Sequence, residues 1–271
     1  MPVLTGLSRP KQTSLSLRSE CFQPKRMYQH WYDKRPPSRR SRWTYKLQRY
    51  FYDFKSLSFA QVCFGLIAVF VGVYVLKTFV PGFPSLYYTR NSSVFKAVTS
   101  MFDHSSIMHL FSNSLYLYGL AMIAPYGMSA PATLVVFIVG GLGGLFLSEL
   151  SSRLREDSSI ARHDGLRARY EHYRHVQGSS AAIWAISSVV TLIDPRRGIS
   201  LYGLIPLPIW ALTGGLLAYD LIGCAREYIA YKHNTTPPAY VTDHTAHLGG
   251  ALTGAICFVV MRRFRRGIVY W

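Results

Sequence analysis

Six apolar runs separated by polar loops constrain this chain more than any other feature. They cover roughly residues 59–76, 107–124, 130–147, 179–193, 201–222 and 246–261. A membrane-crossing helix needs about 20 mostly apolar residues, with a range of roughly 17–25. The first, second, third and fifth runs fall in that range. The fourth and sixth reach it only if their polar first turns enter the membrane, which suits helices that carry reactive groups into a bundle. A hydrophobic share of 49% beside a net charge of +17 requires apolar and charged residues to be segregated along the chain. The expected architecture is therefore an all-α membrane protein. It has a six-transmembrane-helix bundle over 57–266, a disordered basic tail over 1–56 and a short end at 267–271.

The tail holds thirteen Lys/Arg against Glu20, Asp33 and Asp53. It lacks the apolar core of a secretory signal, and its Arg- and Ser-rich, acid-poor composition fits a mitochondrial transit region. A basic segment held near anionic lipid is the other reading. The Pro36-Pro37 pair places any targeting helix before or after it. Basic residues on the tail side, including Arg262, Arg263, Arg265 and Arg266, put the tail and the carboxyl end on one face of the membrane. Three longer loops, 81–103, 148–177 and 223–243, then lie on the other. The cysteines Cys21, Cys63, Cys224 and Cys257 are scattered, so neither a disulfide framework nor a cysteine zinc site is expected. The positive charge flanks apolar runs and accompanies no nucleic-acid module, so no nucleic-acid partner is expected.

Polar residues at membrane depth are expensive to place there and are functional by default. In a six-span chain the second, fourth and sixth spans start from the same face, and each of these runs begins with such residues. Ser180 follows Gly178 at a loop-to-helix junction, where free backbone amides at the positive helix end suit a developing oxyanion. Ser179 competes for the role, and the Gly-x-Ser spacing with Trp184 one turn on favours Ser180 as nucleophile. His247 is the candidate base. Gly250 and Gly254, three and seven residues on, give its helix a small-residue stripe for close approach to Ala181, Ala185 and Ser188. His109 and Asn113 share a helix face and supply donors for an oxyanion, whereas His104 is expected to brace the first loop. His244 with His247 raises a metal alternative, set aside because no carboxylate or thiolate is seen to converge on them. No metal and no cofactor is expected.

These residues carry a resemblance. The stretch 99–113 with His104, His109 and Asn113, the run Gly178-Ser179-Ser180-Ala181, and the run from Ala246 and His247 through Gly249, Gly250 and Gly254 resemble the rhomboid intramembrane serine proteases in order and spacing. Residues 243–254 are most similar to the mitochondrial presenilin-associated rhomboid-like branch. The resemblance implies a Ser180–His247 dyad without an aspartate, and an oxyanion hole from the Ser180 amide, His109 and Asn113. It also implies that Trp184 packs on the imidazole, and that transmembrane segments of single-pass membrane proteins are cleaved near their helix ends. The implied location is the mitochondrial inner membrane, as a multi-pass protein, with a secretory-pathway membrane as the alternative. Ala181 stands where the family has glycine, an added methyl that could weaken activity. A catalytically inactive, client-binding relative is the alternative. Oligomeric state is not legible.

Overall fold

The computed structural model describes residues 39–89, 92–123, 128–156, 176–201, 205–233 and 242–265. The chain divides into two units, Met1–Tyr50 and Phe51–Trp271. The described part of the first unit is entirely helical. It lies in α1 (Arg39–Lys55), which begins just after the Pro36-Pro37 pair and ends within the second unit. Residues 39–55 are thus a helix and not part of a disordered tail, a segment rich in Arg, Lys, Tyr and Phe. Residues 1–38, which hold most of the expected transit region, lie outside the described residues, as does the end from 266.

The second unit contains α2 (Phe59–Phe79), α3 (Val94–Thr99), a 3-10 turn (Ser100–Phe102), α4 (Ile107–Met122), α5 (Ala130–Glu156), α6 (Ser180–Ile193), β1 (Gly198–Leu201), β2 (Ile205–Pro208), α7 (Ile209–Lys232) and α8 (His244–Arg265). Local chemistry sets several boundaries. Ser58 and Gln61 form a reciprocal capping box at the start of α2. The Ser106 hydroxyl accepts the His109 amide at the start of α4. A helix lies in each of the six apolar runs. Three of them, over Phe59–Phe79, Ala130–Leu154 and His244–Phe264, are long and apolar enough to cross a membrane. Phe64, Val69, Val75, Leu252, Ile256 and Val259 point outward from two of these helices, as lipid-facing surfaces do.

The fifth run departs from the expected uninterrupted span. Its first part is an antiparallel hairpin with Gly198 opposite Pro208 and Ile199 opposite Leu207. Pro206 and Pro208 cannot donate backbone hydrogen bonds and restrict the residues before them to extended conformations, so the helix waits until Ile209. All three expected loops are also partly helical, the first because it holds α3 and the 3-10 turn. α5 continues to Glu156, where Glu149 and Arg153 pair one turn apart at 3.1 Å, and α7 continues to Lys232.

The centre of the unit is α6, whose residues 181–190 are all buried. It packs most closely with α5 and α8, and small residues explain how. A Cβ on Gly250 would overlap the Ala181 carbonyl oxygen, one on Gly254 the Ala185 carbonyl oxygen, and one on Gly140 the Ala185 methyl. The backbones of α6 and α8 are therefore in direct contact, with the stripe expected on each helix facing the other. Further along α6, Ser187 bonds to Tyr116 of α4 at 2.5 Å and to Thr213 of α7 at 3.1 Å, and Thr213 bonds to Thr191 at 2.9 Å. Each hydroxyl finds a partner inside the bundle, where an unpaired one would be costly.

Candidate active site

Gly178 is the pivot of the junction before α6. Its φ of +112° is a conformation that side chains resist. Its N–H donates to the Ser100 carbonyl at 2.9 Å. A Cβ there would also stand 2.5 Å from Cε1 of His109. Glycine is needed for both reasons, and the second fixes the His109 ring against the backbone two residues before Ser180.

Ser179 and Ser180 have different surroundings. Ser179 is fully buried, and its hydroxyl bonds to His104 Nε2 at 3.3 Å. It occupies the N-cap position of α6 but makes no side-chain cap bond. The first described bond of this turn runs from the Ile183 N–H to the Ser179 carbonyl at 2.9 Å. The amides of Ser180, Ala181 and Ala182 are therefore not engaged by the helix's own ladder. Ser180 is half-buried, so the more accessible hydroxyl of the two belongs to it.

His109, in the first turn of α4, bonds through Nδ1 to the Ser105 hydroxyl at 3.2 Å. Asn113 lies one turn on. Its side-chain nitrogen is buried with no partner among the described residues, so an amide donor on the His109 face of α4 is uncommitted. His104 braces the loop before α4. Lys77 of α2 pairs with buried Asp103 at 2.6 Å and also donates to the His104 carbonyl at 3.3 Å. The His104 ring lies 5.2 Å from that of Phe70 and 5.1 Å from that of His109.

Burial pushes the His104 imidazole down from its ordinary 6.5 to about 4, with the neighbouring His109 acting in the same direction. Between those values the unfolded chain takes up a proton that the folded chain refuses, so stability rises with pH across that interval. The contribution is complete above about pH 6.5 and is lost as pH falls toward about 4. Thermal unfolding in detergent should show a midpoint that is flat near neutrality and declines below it. His104→Gln should shallow that decline, and an unchanged slope would assign the acid sensitivity elsewhere.

His247 sits in the first turn of α8. Asp243 fixes that turn, accepting the Ala246 N–H at 2.9 Å and the Ser148 hydroxyl at 2.5 Å. The Trp184 ring lies 6.1 Å from the His247 ring, tilted by 38°. A Cβ on Gly144 of α5 would meet both the Ala181 methyl, at 2.5 Å, and the Ala246 carbonyl, at 2.6 Å. The residues after Ser180 and before His247 thus face one point on α5. Ser180 and His247 are brought to the same corner, although no direct hydrogen bond joins them in this structure. The Ala181 methyl packs toward Gly144, a position where α5 has no side chain.

The sequence reading missed Asp220. This carboxylate, on α7 and only 1% exposed, accepts from His247 Nδ1 at 3.0 Å and 3.1 Å through its two oxygens. It also accepts from His244 Nδ1 at 2.7 Å. Gly223, one turn along α7, makes room for the His244 ring, which a Cβ would overlap. A single acid inside the fifth apolar run was the available signal, since a carboxylate at that depth demands a partner. The premise that no carboxylate converges on His244 and His247 is corrected by it. Among the described residues, Asp220, His244 and His247 offer ligand atoms within 4.8 Å of one another.

The family profile described as Rhomboid domain matches residues 91–264, which span the hydroxyl, histidine and amide groups just described. The chain belongs to the rhomboid family. It is 26% identical over 220 residues to "RHOMBOID-like protein 12, mitochondrial" of Arabidopsis thaliana. The matched region is 78% of this chain and 61% of that relative, so the chain spans about three fifths of the relative's length.

Proposed function

We propose that this protein is an intramembrane serine endopeptidase that cleaves transmembrane segments of single-pass membrane proteins. In this reading all six apolar runs lie within the bilayer of the mitochondrial inner membrane. The mitochondrial name of the relative and the acid-poor tail support that location. The observation that carries the catalytic reading is the direct contact of Ala181 with Gly250. It sets the nucleophile's helix against the base's helix at the turn where both groups sit.

Ser180 attacks the scissile carbonyl while His247 Nε2 takes its proton and later returns it to the leaving amine. Asp220 holds Nδ1, so the ring keeps its proton on that side and presents Nε2 as the acceptor. Charge developing on the carbonyl oxygen meets the amides at the start of α6, the Asn113 amide and His109. Trp184 backs the imidazole. His104 acts at one remove, holding Ser179 and so the strand of chain that carries Ser180. A substrate helix must unwind locally, because a regular helix keeps its carbonyls bonded.

A fluorophosphonate probe tests this reading: it should label the wild-type protein in membranes and leave Ser180→Ala unlabelled. Equal labelling of both would assign the reactive group elsewhere, and labelling of neither would favour a non-catalytic client-binding role. Asp220→Asn keeps the shape but removes the charge and the fixed tautomer. It is expected to lower kcat by about 10²- to 10⁴-fold with little change in KM. A change confined to KM would assign Asp220 to substrate binding.

A further inference from the structure

The second histidine on Asp220 has no task in the proposed reaction. Orienting His247 needs one carboxylate, yet His244 approaches the same Oδ1 at 2.7 Å where His247 stands at 3.0 Å. The approach is built into the backbone, because it depends on the absence of a side chain at Gly223. The Tyr219 ring meets the His244 ring edge-on at 5.2 Å, which fixes it from another side. Both imidazoles aim Nδ1, and neither aims Nε2, at the acid. The result is two imidazole nitrogens and one carboxylate on two packed helices, with the acid buried and the histidine side chains 12% and 14% exposed.

We infer that Asp220, His244 and His247 form a binding site for a divalent transition metal ion of the zinc class, and that an ion bound there switches the protease off. The second half of this inference rests on the proposed function; the first does not. Two histidines and a carboxylate are a common zinc donor set, with bonds of about 2.0–2.2 Å and a fourth position for water. Tetrahedral geometry with such bonds puts donor atoms about 3.3–3.5 Å apart. His244 and His247 stand 2.7 and 3.0 Å from Asp220, a few tenths of an ångström inside that value, and the three ligand atoms lie within 4.8 Å of one another. Small side-chain shifts therefore suffice to admit an ion.

The effect on catalysis follows from the imidazole itself. A neutral ring has one proton. With a metal on Nδ1 of His247, that proton resides on Nε2, the atom that must accept from Ser180. The ring is then a donor where a base is required. Nothing covalent changes, and removing the ion returns the proton to Nδ1, facing Asp220. The switch is thus a choice between the carboxylate accepting a hydrogen bond from the Nδ1 proton and the same carboxylate sharing a metal with Nδ1.

The test uses the full chain in detergent or liposomes, with Zn²⁺ titrated under equilibrium dialysis and Co²⁺ as a spectroscopic substitute. One ion per chain is expected, with cobalt bands of low coordination number. Asp220→Asn and His244→Gln should each weaken binding by roughly tenfold or more, while Ser180→Ala should bind as the wild type does. Equal binding by the wild type and both ligand variants overturns the site. Reporter cleavage is measured in parallel, each protein normalised to its own metal-free rate. Zinc should inhibit the wild type, a chelator should restore it, and His244→Gln should resist. Inhibition that is equal in the wild type and His244→Gln overturns the switch. Binding without any Ser180-dependent cleavage leaves the site standing and removes the protease reading.

Discussion

Ser180→Ala is expected to abolish cleavage of a transmembrane reporter while leaving the protein folded and in the membrane. In the proposed reaction the alcohol at residue 180 forms the bond to the scissile carbon, and no neighbour can replace it. Ser179 is adjacent, but it is fully buried and bonded to His104, so it cannot act as a reserve. Removing the nucleophile of a hydrolytic dyad or triad lowers kcat by about a millionfold, which in a membrane assay means no product above background. The fold should be indifferent, because alanine is a better helix former than serine and no side-chain hydrogen bond of Ser180 is described. Cleavage at the wild-type rate by a well-folded Ser180→Ala would sink the protease reading. It would leave the family membership and the helix packing intact.

Gly250→Ala should do the opposite, damaging the fold first and activity as a consequence. The added methyl has no room: it would overlap the Ala181 carbonyl oxygen, with the Ala181 Cα a further contact at 3.0 Å. These are backbone atoms of a buried helix and cannot turn aside as a side-chain tip would. Overpacking a tight contact costs typically about 1–3 kcal/mol, occasionally more. Here relief requires α6 and α8 to separate, and that separation moves Ser180 away from His247. A thermal midpoint lowered by several degrees and cleavage reduced by about a hundredfold or more are expected, since small misplacements at a reacting centre have effects of that size. A variant with wild-type stability and activity would show that the two helices do not bear on each other at this turn. Gly65, where an added Cβ meets nothing within 4 Å, is the control position on α2.

Much of the bundle could be read from residue pattern alone. Apolar runs located six helices because their length and composition report a solvent preference that every residue shares. The glycine stripe on α8 and the alanines of α6 were legible as partners because small residues four apart have one packing use in lipid. Element ends were less legible. The hairpin before α7 was hidden by the apolar character of Ile199, Leu201, Ile205 and Leu207, which serves a strand as well as a helix. Pro206 and Pro208 were the available correction. The helical extensions of α5 and α7 were hidden because charged residues past a membrane run read as loop until pairs such as Glu149–Arg153 are noticed.

The site was legible wherever its residues fall close together in sequence, and illegible where two helices meet. His109 with Asn113, and Gly178 with Ser180, are local spacings. The partnership of Asp220 with His247 joins residues 27 apart, on two helices whose relative register the sequence does not show. Ala181 was legible as a departure, and only packing reveals where its methyl goes. It lies against Gly144 of α5, so the substitution is absorbed between helices.

The diverted hydroxyl of Ser179 has an energetic meaning. A serine at the head of a helix ordinarily secures the first turn, and losing such a cap removes about 1 kcal/mol. Here that oxygen is tied to His104 instead, and α6 begins with its donors unclaimed. In the proposed reaction, the protein thus forgoes some helix stability beside its nucleophile, and the unclaimed donors are at hand for a charge that exists only in passing.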